Sequence, residues 1–307
     1  MSARLRNESG QAILLTVFFL TVAIGAVALT IDVGVWFREQ RQAQATADAA
    51  ALAGAQALPT NPSQAISDAQ TYAGKNGGGV VAGDITLRND YAPNDTIAVT
   101  ARRTSPGFFS RLFSIDSVTV HASAAARVGV PEQVMGVAPI VVNKLHPMLS
   151  GPGCPCFKQE TTLPLSKTGA PGAFGLVNLD QDKNGTVGTP VLAAWVADGF
   201  DDFLPLGGYD SDPGAKFNGD AIRAALTERL GTELLFPVYD GLTGGGSNAV
   251  YNVIGWVAFH LDAFDLNVHG NSQILTGYFT RVIWEGIQGT TGKHLPDFGV
   301  YSVSLVN

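Results

Sequence analysis

Cysteine is nearly missing: the 307 residues hold only Cys154 and Cys156. A disulfide framework and a four-cysteine zinc site are therefore excluded. Charge is also scarce, with Asp, Glu, Lys and Arg making 15% of the chain against about 25% in an average soluble domain. The cations are outnumbered, 19 Lys plus Arg to 26 Asp plus Glu, for a formal net charge of -7. Nucleic-acid binding draws most of its affinity from cations neutralising phosphates, so nucleic acid is not an expected partner. The glycine-rich stretch at 241–246 (GLTGGG) lacks the Lys-Ser/Thr of a phosphate loop and reads as a hairpin turn. Turn formers and apolar residues are plentiful. With 36 glycines, 16 prolines and 46% hydrophobic residues, the chain is a turn-rich folded protein and not a disordered one.

Residues 12–31 (AILLTVFFLTVAIGAVALTI) run without a charge. As a helix, twenty residues span about 30 Å, the thickness of a bilayer's hydrocarbon core. A core helix would be polar on one face, which this run is not. A cleaved signal peptide would have a shorter apolar region, and the small-x-small group Ala26-Val27-Ala28 sits inside the run instead of after it. The expectation is a single membrane span over 12–31. A cytoplasmic tail over 1–11 precedes it, and the bulk of the chain is extracytoplasmic. Flanking charge adds little to that orientation: Arg4 and Arg6 stand against Glu8, and Arg38 and Arg41 against Glu39 and Asp48.

Nine of the fifteen residues at 43–57 are alanine, the strongest helix former, and no proline intervenes before Pro59. The membrane helix is therefore expected to continue through 32–58 as one rod of about 70 Å. Ala43, Ala47, Ala51 and Ala55 recur every four residues, with Ala45, Ala49, Ala53 and Ala57 as a second row. Small-residue rows permit close helix contact, so the first row is a candidate seam for a partner helix or a second copy. The alternative is that alanine only keeps the rod helical.

The order Gly10-Gln11, an apolar run, Asp32-Val33-Gly34, Arg38, Gln42 and then Ala47-Asp48-Ala49-Ala50-Ala51-Leu52-Ala53-Gly54-Ala55 resembles the amino-terminal segment of the TadE/TadG-like family of Flp pilus assembly proteins. Tyr72-Ala73-Gly74-Lys75-Asn76-Gly77 and Phe108-Phe109-Ser110-Arg111-Leu112-Phe113 are similar to the strand-helix-strand region that follows in TadG-like proteins. The resemblance implies a membrane-anchored, non-catalytic component of pilus assembly or a related envelope apparatus, with other assembly proteins as partners. Leu15 stands where processed pilins carry an acidic residue, and the Asp-x-Ser-x-Ser of a von Willebrand A metal site is absent.

Past the rod, an α+β fold in two parts is expected. A small α+β unit over 59–130 has a helix at 63–75, strands at 85–88, 96–102 and 118–126, and a helix opened by Pro106 over 106–112. Arg102-Arg103 read as a solvated strand edge. A mostly antiparallel, β-rich domain with a few helices over 131–307 has strands at 137–142, 233–239, 250–261, 272–284 and 300–306. Its helices begin at Pro190, with Thr189 as cap, and after Asn218.

Three groups in that domain could carry chemistry. Asp180-x-Asp182-x-Asn184-Gly185 resembles the opening of a calcium loop, although Val191 occupies the position of the bidentate glutamate; a solvated turn is the other reading. Cys154-Pro155-Cys156 is expected as a disulfide outside the cell; a reduced pair, or a metal contact with His146, are the alternatives. Asp198, Asp201, Asp202, Asp210 and Asp212 include carboxylate pairs of the kind hydrolases use, yet aspartates in turns are more often solvated; His260 and His269 read as structural. No enzyme and no cofactor is expected, calcium at the Asp180 turn being the alternative. The reading is an anchored assembly protein acting through contacts, with an anchored binding module for carbohydrate or a surface ligand as the alternative.

Overall fold

The computed structural model describes residues 9–165, 175–181, 186–212, 216–217, 219–245, 248–266, 273–284, 287–288 and 295–306. The chain divides into two compact units, Met1–Arg127 with Ser304–Asn307, and Val128–Val303.

The first unit begins with α1, an unbroken helix over Ser9–Ala55. Helix α2 (Pro62–Lys75) follows, with Pro62 at its first turn and the Asn61 side chain accepting from the Gln64 N–H. That carbonyl satisfies one of the helix's orphan donors. Three strands then form an antiparallel meander: β1 (Ile85–Arg88), β2 (Thr96–Pro106) and β3 (Ser117–Gly129), with Ile85 opposite Val99 and Thr100 opposite Ser123. One sheet face is apolar and small: Ile97, Val99, Ala101, Ala122 and Ala126 are buried. The other carries hydroxyl pairs, Thr100 with Ser123 and Thr104 with Thr119. Both helices pack against β2.

Two expectations change here. Residues 106–112 are not a helix: β2 runs to Pro106, and only a 3-10 turn, Ser110–Phe113, follows. Nor is Arg102-Arg103 a bare edge: β1 ends opposite Val99, but beyond it the Arg102 N–H donates to Gly79 O and both side chains find carboxylates. Arg102 pairs with the nearly buried Asp84, and Arg103 with Glu39 of α1.

The second unit holds the short β4 (Gln133–Val134) and β5 (Val142–Asn143), then α3 (Pro147–Ser150), β6 (Glu160–Pro164), β7 (Leu176–Val177) and α4 (Thr189–Ala197). After these come β8 (Leu204–Pro205), β9 (Gly207–Asp212), α5 (Asp220–Glu228), β10 (Glu233–Thr243), β11 (Val250–Asp265) and β12 (Ile274–Thr280). Short β13 (Val282–Ile283) and β14 (Ile287–Gln288) and the last strand, β15 (Val300–Val306), whose end from Ser304 is counted in the first unit, complete it. The hairpin β10–β11 is the spine, closed by Thr243 opposite Val250. β11 is long enough to pair β9 along its first half and β12 along its second; β6 adds to β12, and β5 lies parallel to β10.

Both faces of this sheet are covered, which is why β10 reads as an almost continuous apolar run. Phe236, Val238, Phe259 and Phe279 pack with Leu192 and Val196 of α4 and Ile222 and Leu226 of α5. Leu235, Tyr239, Tyr251 and Trp256 fill the opposite face with Tyr209 and Leu179. The expected strand at 137–142 is reduced to isolated bridges at Val137 and Ile140 plus β5. Thr189 is the first helical residue of α4, with Gly188 at the cap and no side-chain bond there; Asn218 lies outside the described residues.

Candidate functional site: the anchor helix and its junction

The two halves of α1 meet different surroundings. In residues 12–31 the large apolar side chains are all open, from Ile13 at 63% and Phe19 at 72% to Ile31 at 45%. Twelve such side chains are bare. At about 2 kcal/mol for each leucine-sized side chain left in water, their exposure would cost on the order of 20 kcal/mol, more than the net stability of a typical domain. Water is not the solvent of this segment. It is a helix near the N-terminus long and apolar enough to cross a membrane.

At the end of the run the chain changes partners. Asp32 is 1% exposed, and its carboxylate accepts the backbone N–H groups of Phe108 (3.1 Å), Phe109 (3.0 Å) and Ser110 (2.6 Å). The turn so held is closed within itself: Gly107 N–H donates to Asp116 O, and Ser110 Oγ donates to Ile115 O. A Cβ on Gly107 would lie 2.0 Å from Ser110 Oγ, so glycine is required there. Two turns further along α1, Glu39 accepts from Arg103 Nε at 2.7 Å, and Arg103 Nη1 also donates to Gly77 O. The Arg103 hydrogen bond holds the Glu39 carboxyl below its usual range, against the opposing effect of burial. Gln42 and Thr46 both donate to Asn76 O, fixing the end of α2 to α1.

The alanine row then enters the unit's interior. Ala43, Ala47, Ala51 and Ala55 are each 0% exposed, and Ala43 and Ala47 cluster with Ala101 of β2 and Ala122 of β3. The seam offered in the sequence to a partner helix is covered within this chain, Ala43 and Ala47 by its own sheet, with α2 also packed along α1. Small side chains do allow close approach, as the sequence implies, and the approaching surfaces are the sheet and α2 of the same chain. Of the second row, Ala45 is exposed, Ala49 and Ala57 are half-buried and Ala53 is buried. Gly54 marks the tightest point: a Cβ there would meet Ile97 Cδ1 at 2.6 Å and the Ala65 carbonyl of α2 at 2.7 Å.

In the second unit the other candidates separate. Cys154 and Cys156 are joined to each other as a disulfide. His146 caps α3: Nδ1 accepts from Met148 N–H, and Nε2 faces Thr162 O at 3.3 Å. Both ring nitrogens are engaged, and burial holds the imidazole below its ordinary range. Asp180 lines a polar groove of about 330 Å³ with Asn178, Gln181 and Asp210; Asp182, Asn184 and Gly185 lie outside the described residues. Asp198, Asp201 and Asp202 are exposed, whereas Asp212 is fully buried against Lys216 and the Val187 N–H. Among the described residues, no three of His, Cys, Asp and Glu are grouped to hold a metal ion. His260 stacks on Tyr278 and bonds Glu233; His269 is outside the described residues.

A feature the sequence reading missed is an open groove of about 700 Å³ lined by Leu145, Leu149, Ile254 and Phe298, with Lys144, Asp240 and Asn252 as its polar members. Asn252 donates to Asp240 at 2.7 Å, and Lys144 lies 3.4 Å away. The Asn252 bond, with Lys144, holds Asp240 below the usual carboxylate range. Asp32 was equally unmarked as a functional group, although a lone acid closing an apolar run is a visible signal.

A bare apolar helix running without a break into a small α+β unit defines the class: a membrane-anchored protein. Residues 10–57 match the family model Tad, described as "Putative Flp pilus-assembly TadE/G-like". That segment takes in the bare half, Asp32, Glu39 and the buried alanine row, and it relates the chain to pilus assembly. No curated protein and no solved structure matches the chain.

Proposed function

We propose that this protein is a single-pass component of Flp/Tad-type pilus assembly or a related envelope apparatus, acting through protein–protein contacts and not through catalysis. The amino terminus is cytoplasmic and the bulk of the chain extracytoplasmic. The observation that carries the reading is the TadE/G-like segment, half bare and half packed into a folded unit. With the first alanine row covered, the contacts to other assembly proteins, or to a second copy, fall on the exposed parts of the two units and on the lipid-facing span. The test is crosslinking of the full chain in its native membrane, with protease protection of sealed vesicles. Capture of pilus-assembly proteins and an extracytoplasmic carboxyl terminus are expected. A cytoplasmic carboxyl terminus, or crosslinks to none of those proteins, overturns the reading.

A second reading, an anchored binding module for carbohydrate or a surface ligand, is favoured by the groove around Lys144, Asp240 and Asn252. Asp180, Asp182 and Asn184 would be its calcium ligands. A rise in melting temperature with added calcium or glycan supports it; unchanged melting across a glycan panel removes it.

A further inference from the structure

We infer that the turn between β2 and β3 is a second membrane contact: its tip, Phe108, Phe109, Leu112, Phe113 and Ile115, seats in the interfacial layer of the same bilayer that α1 spans. The inference rests on reading α1 as a membrane span. These five apolar side chains fall within eight residues, and Leu112 is 82%, Phe113 78% and Phe108 61% exposed. Such a cluster has no use in water, and its depth is set by α1. Asp32, the first residue after the charge-free run, holds the turn by three of its N–H groups. The 3-10 turn packs on α1. Ala28, one helical turn before Asp32, is the buried residue among 12–31. The tip is therefore level with the end of the run.

The charge of Asp32 is no obstacle to this placement. Its carboxylate is met by backbone donors and not by water, so the surface of α1 stays apolar beyond the run, through Val33 and Val35 to Trp36 and Phe37. Tryptophan favours the headgroup level, and Arg38 and Arg41 follow Trp36, Arg41 lying 4.7 Å over the Phe37 ring. A rigid turn brings its apolar residues to the interface without an ordering cost at the moment of contact. Lipid is the occupant favoured because the span already places it at that depth.

The experiment uses the full chain in vesicles of phosphatidylcholine and phosphatidylglycerol, with an environment-sensitive fluorophore on Leu112→Cys, Ser67→Cys or Leu20→Cys and Cys154–Cys156 left bonded. Label at Leu112 should be quenched by lipids brominated near the carbonyls and be severalfold less open to aqueous iodide than label at Ser67. Asp32→Asn, with one acceptor oxygen for the donors, should weaken that protection while Leu20 stays quenched by deeply brominated lipid. Equal iodide access at Leu112 and Ser67, with Leu20 still quenched, overturns the inference. Protection found in native membranes but not in pure lipid assigns the tip to a protein partner and also overturns it. Loss of quenching at Leu20 instead overturns the membrane span itself.

Discussion

The two halves of α1 differ in what surrounds them: every large apolar side chain of 12–31 is bare, whereas Ala43, Thr46, Ala47, Ala50, Ala51 and Ala55 are packed to 0% exposure. Side-chain size separates them. Large residues at 12–31 leave no room for a close neighbour and offer a broad apolar surface, which suits lipid. Alanines at 43–55 offer little apolar area but let a strand and a second helix approach. One continuous helix is thus two different objects depending on the volume of its side chains, and each half can be broken separately.

The largest effect is expected in the bare half. Ala23→Arg with Ala26→Arg should release the chain from carbonate-washed membranes, since each central charge costs about 2.5 to 3.5 kcal/mol on insertion scales. The folded units should keep their melting behaviour.

Ala47→Leu with Ala51→Leu should do the reverse. Both positions are fully buried, and overpacking costs about 1 to 3 kcal/mol at each site. Thermal melting in detergent should fall by several degrees while membrane retention is unchanged. Intact stability with lost crosslinks would instead revive a seam between helices.

Gly54→Ala sharpens the comparison within the packed half. Helix propensity alone favours alanine by about 1 kcal/mol, but the added Cβ meets the Ala65 carbonyl at 2.7 Å. A net loss of about 1 to 2 kcal/mol is expected from the overlap. Gly74→Ala in α2, with open space around it, should be stabilising by about 0.5 to 1 kcal/mol. Both are read from paired melts.

The smallest effect is acid sensitivity at the boundary. The Glu39 carboxyl is held below its ordinary 4.5 by Arg103. Its contribution is present above that value and is lost as pH falls through the lower folded value, because the unfolded state binds the proton first. Glu39→Gln should flatten this part of the stability profile, measured in melts below pH 5.

Much of the architecture was legible because it is local. The uncharged run, the alanine tract and the alternation of β1, β2 and β3 each announce their element. What was not legible depends on residues far apart in the chain. An alanine row states that something comes close and does not say what; Ala101 and Ala122 supply the answer from more than fifty positions away. Pro106 looks like a helix opener, yet β2 stays paired with β3 through Pro106 and the Gly107 N–H goes to Asp116, while the next N–H groups go to Asp32, 76 to 78 positions earlier. Arg103 looks solvated until Glu39 is placed opposite it, and Arg102, itself largely exposed, gives no sign in the sequence of its pairing with Asp84. The groove around Asp240 draws Lys144, Asn252 and Phe298 from separate segments, and no spacing rule joins them.

The continuity of α1 has a mechanical consequence. No loop intervenes between the segment in the bilayer and the segment wedged under the sheet, and the helix runs through Gly34 without a break, so the anchor has no swivel. Torque or tilt applied at the membrane passes directly into β2 and β3, and a load on the sheet turns the helix in the lipid. One residue inserted between Asp32 and Ala43 would twist the sheet by about 100° and shift it by about 1.5 Å relative to the bilayer. The helix works as a drive shaft, with Asp32 and Glu39 as its keys.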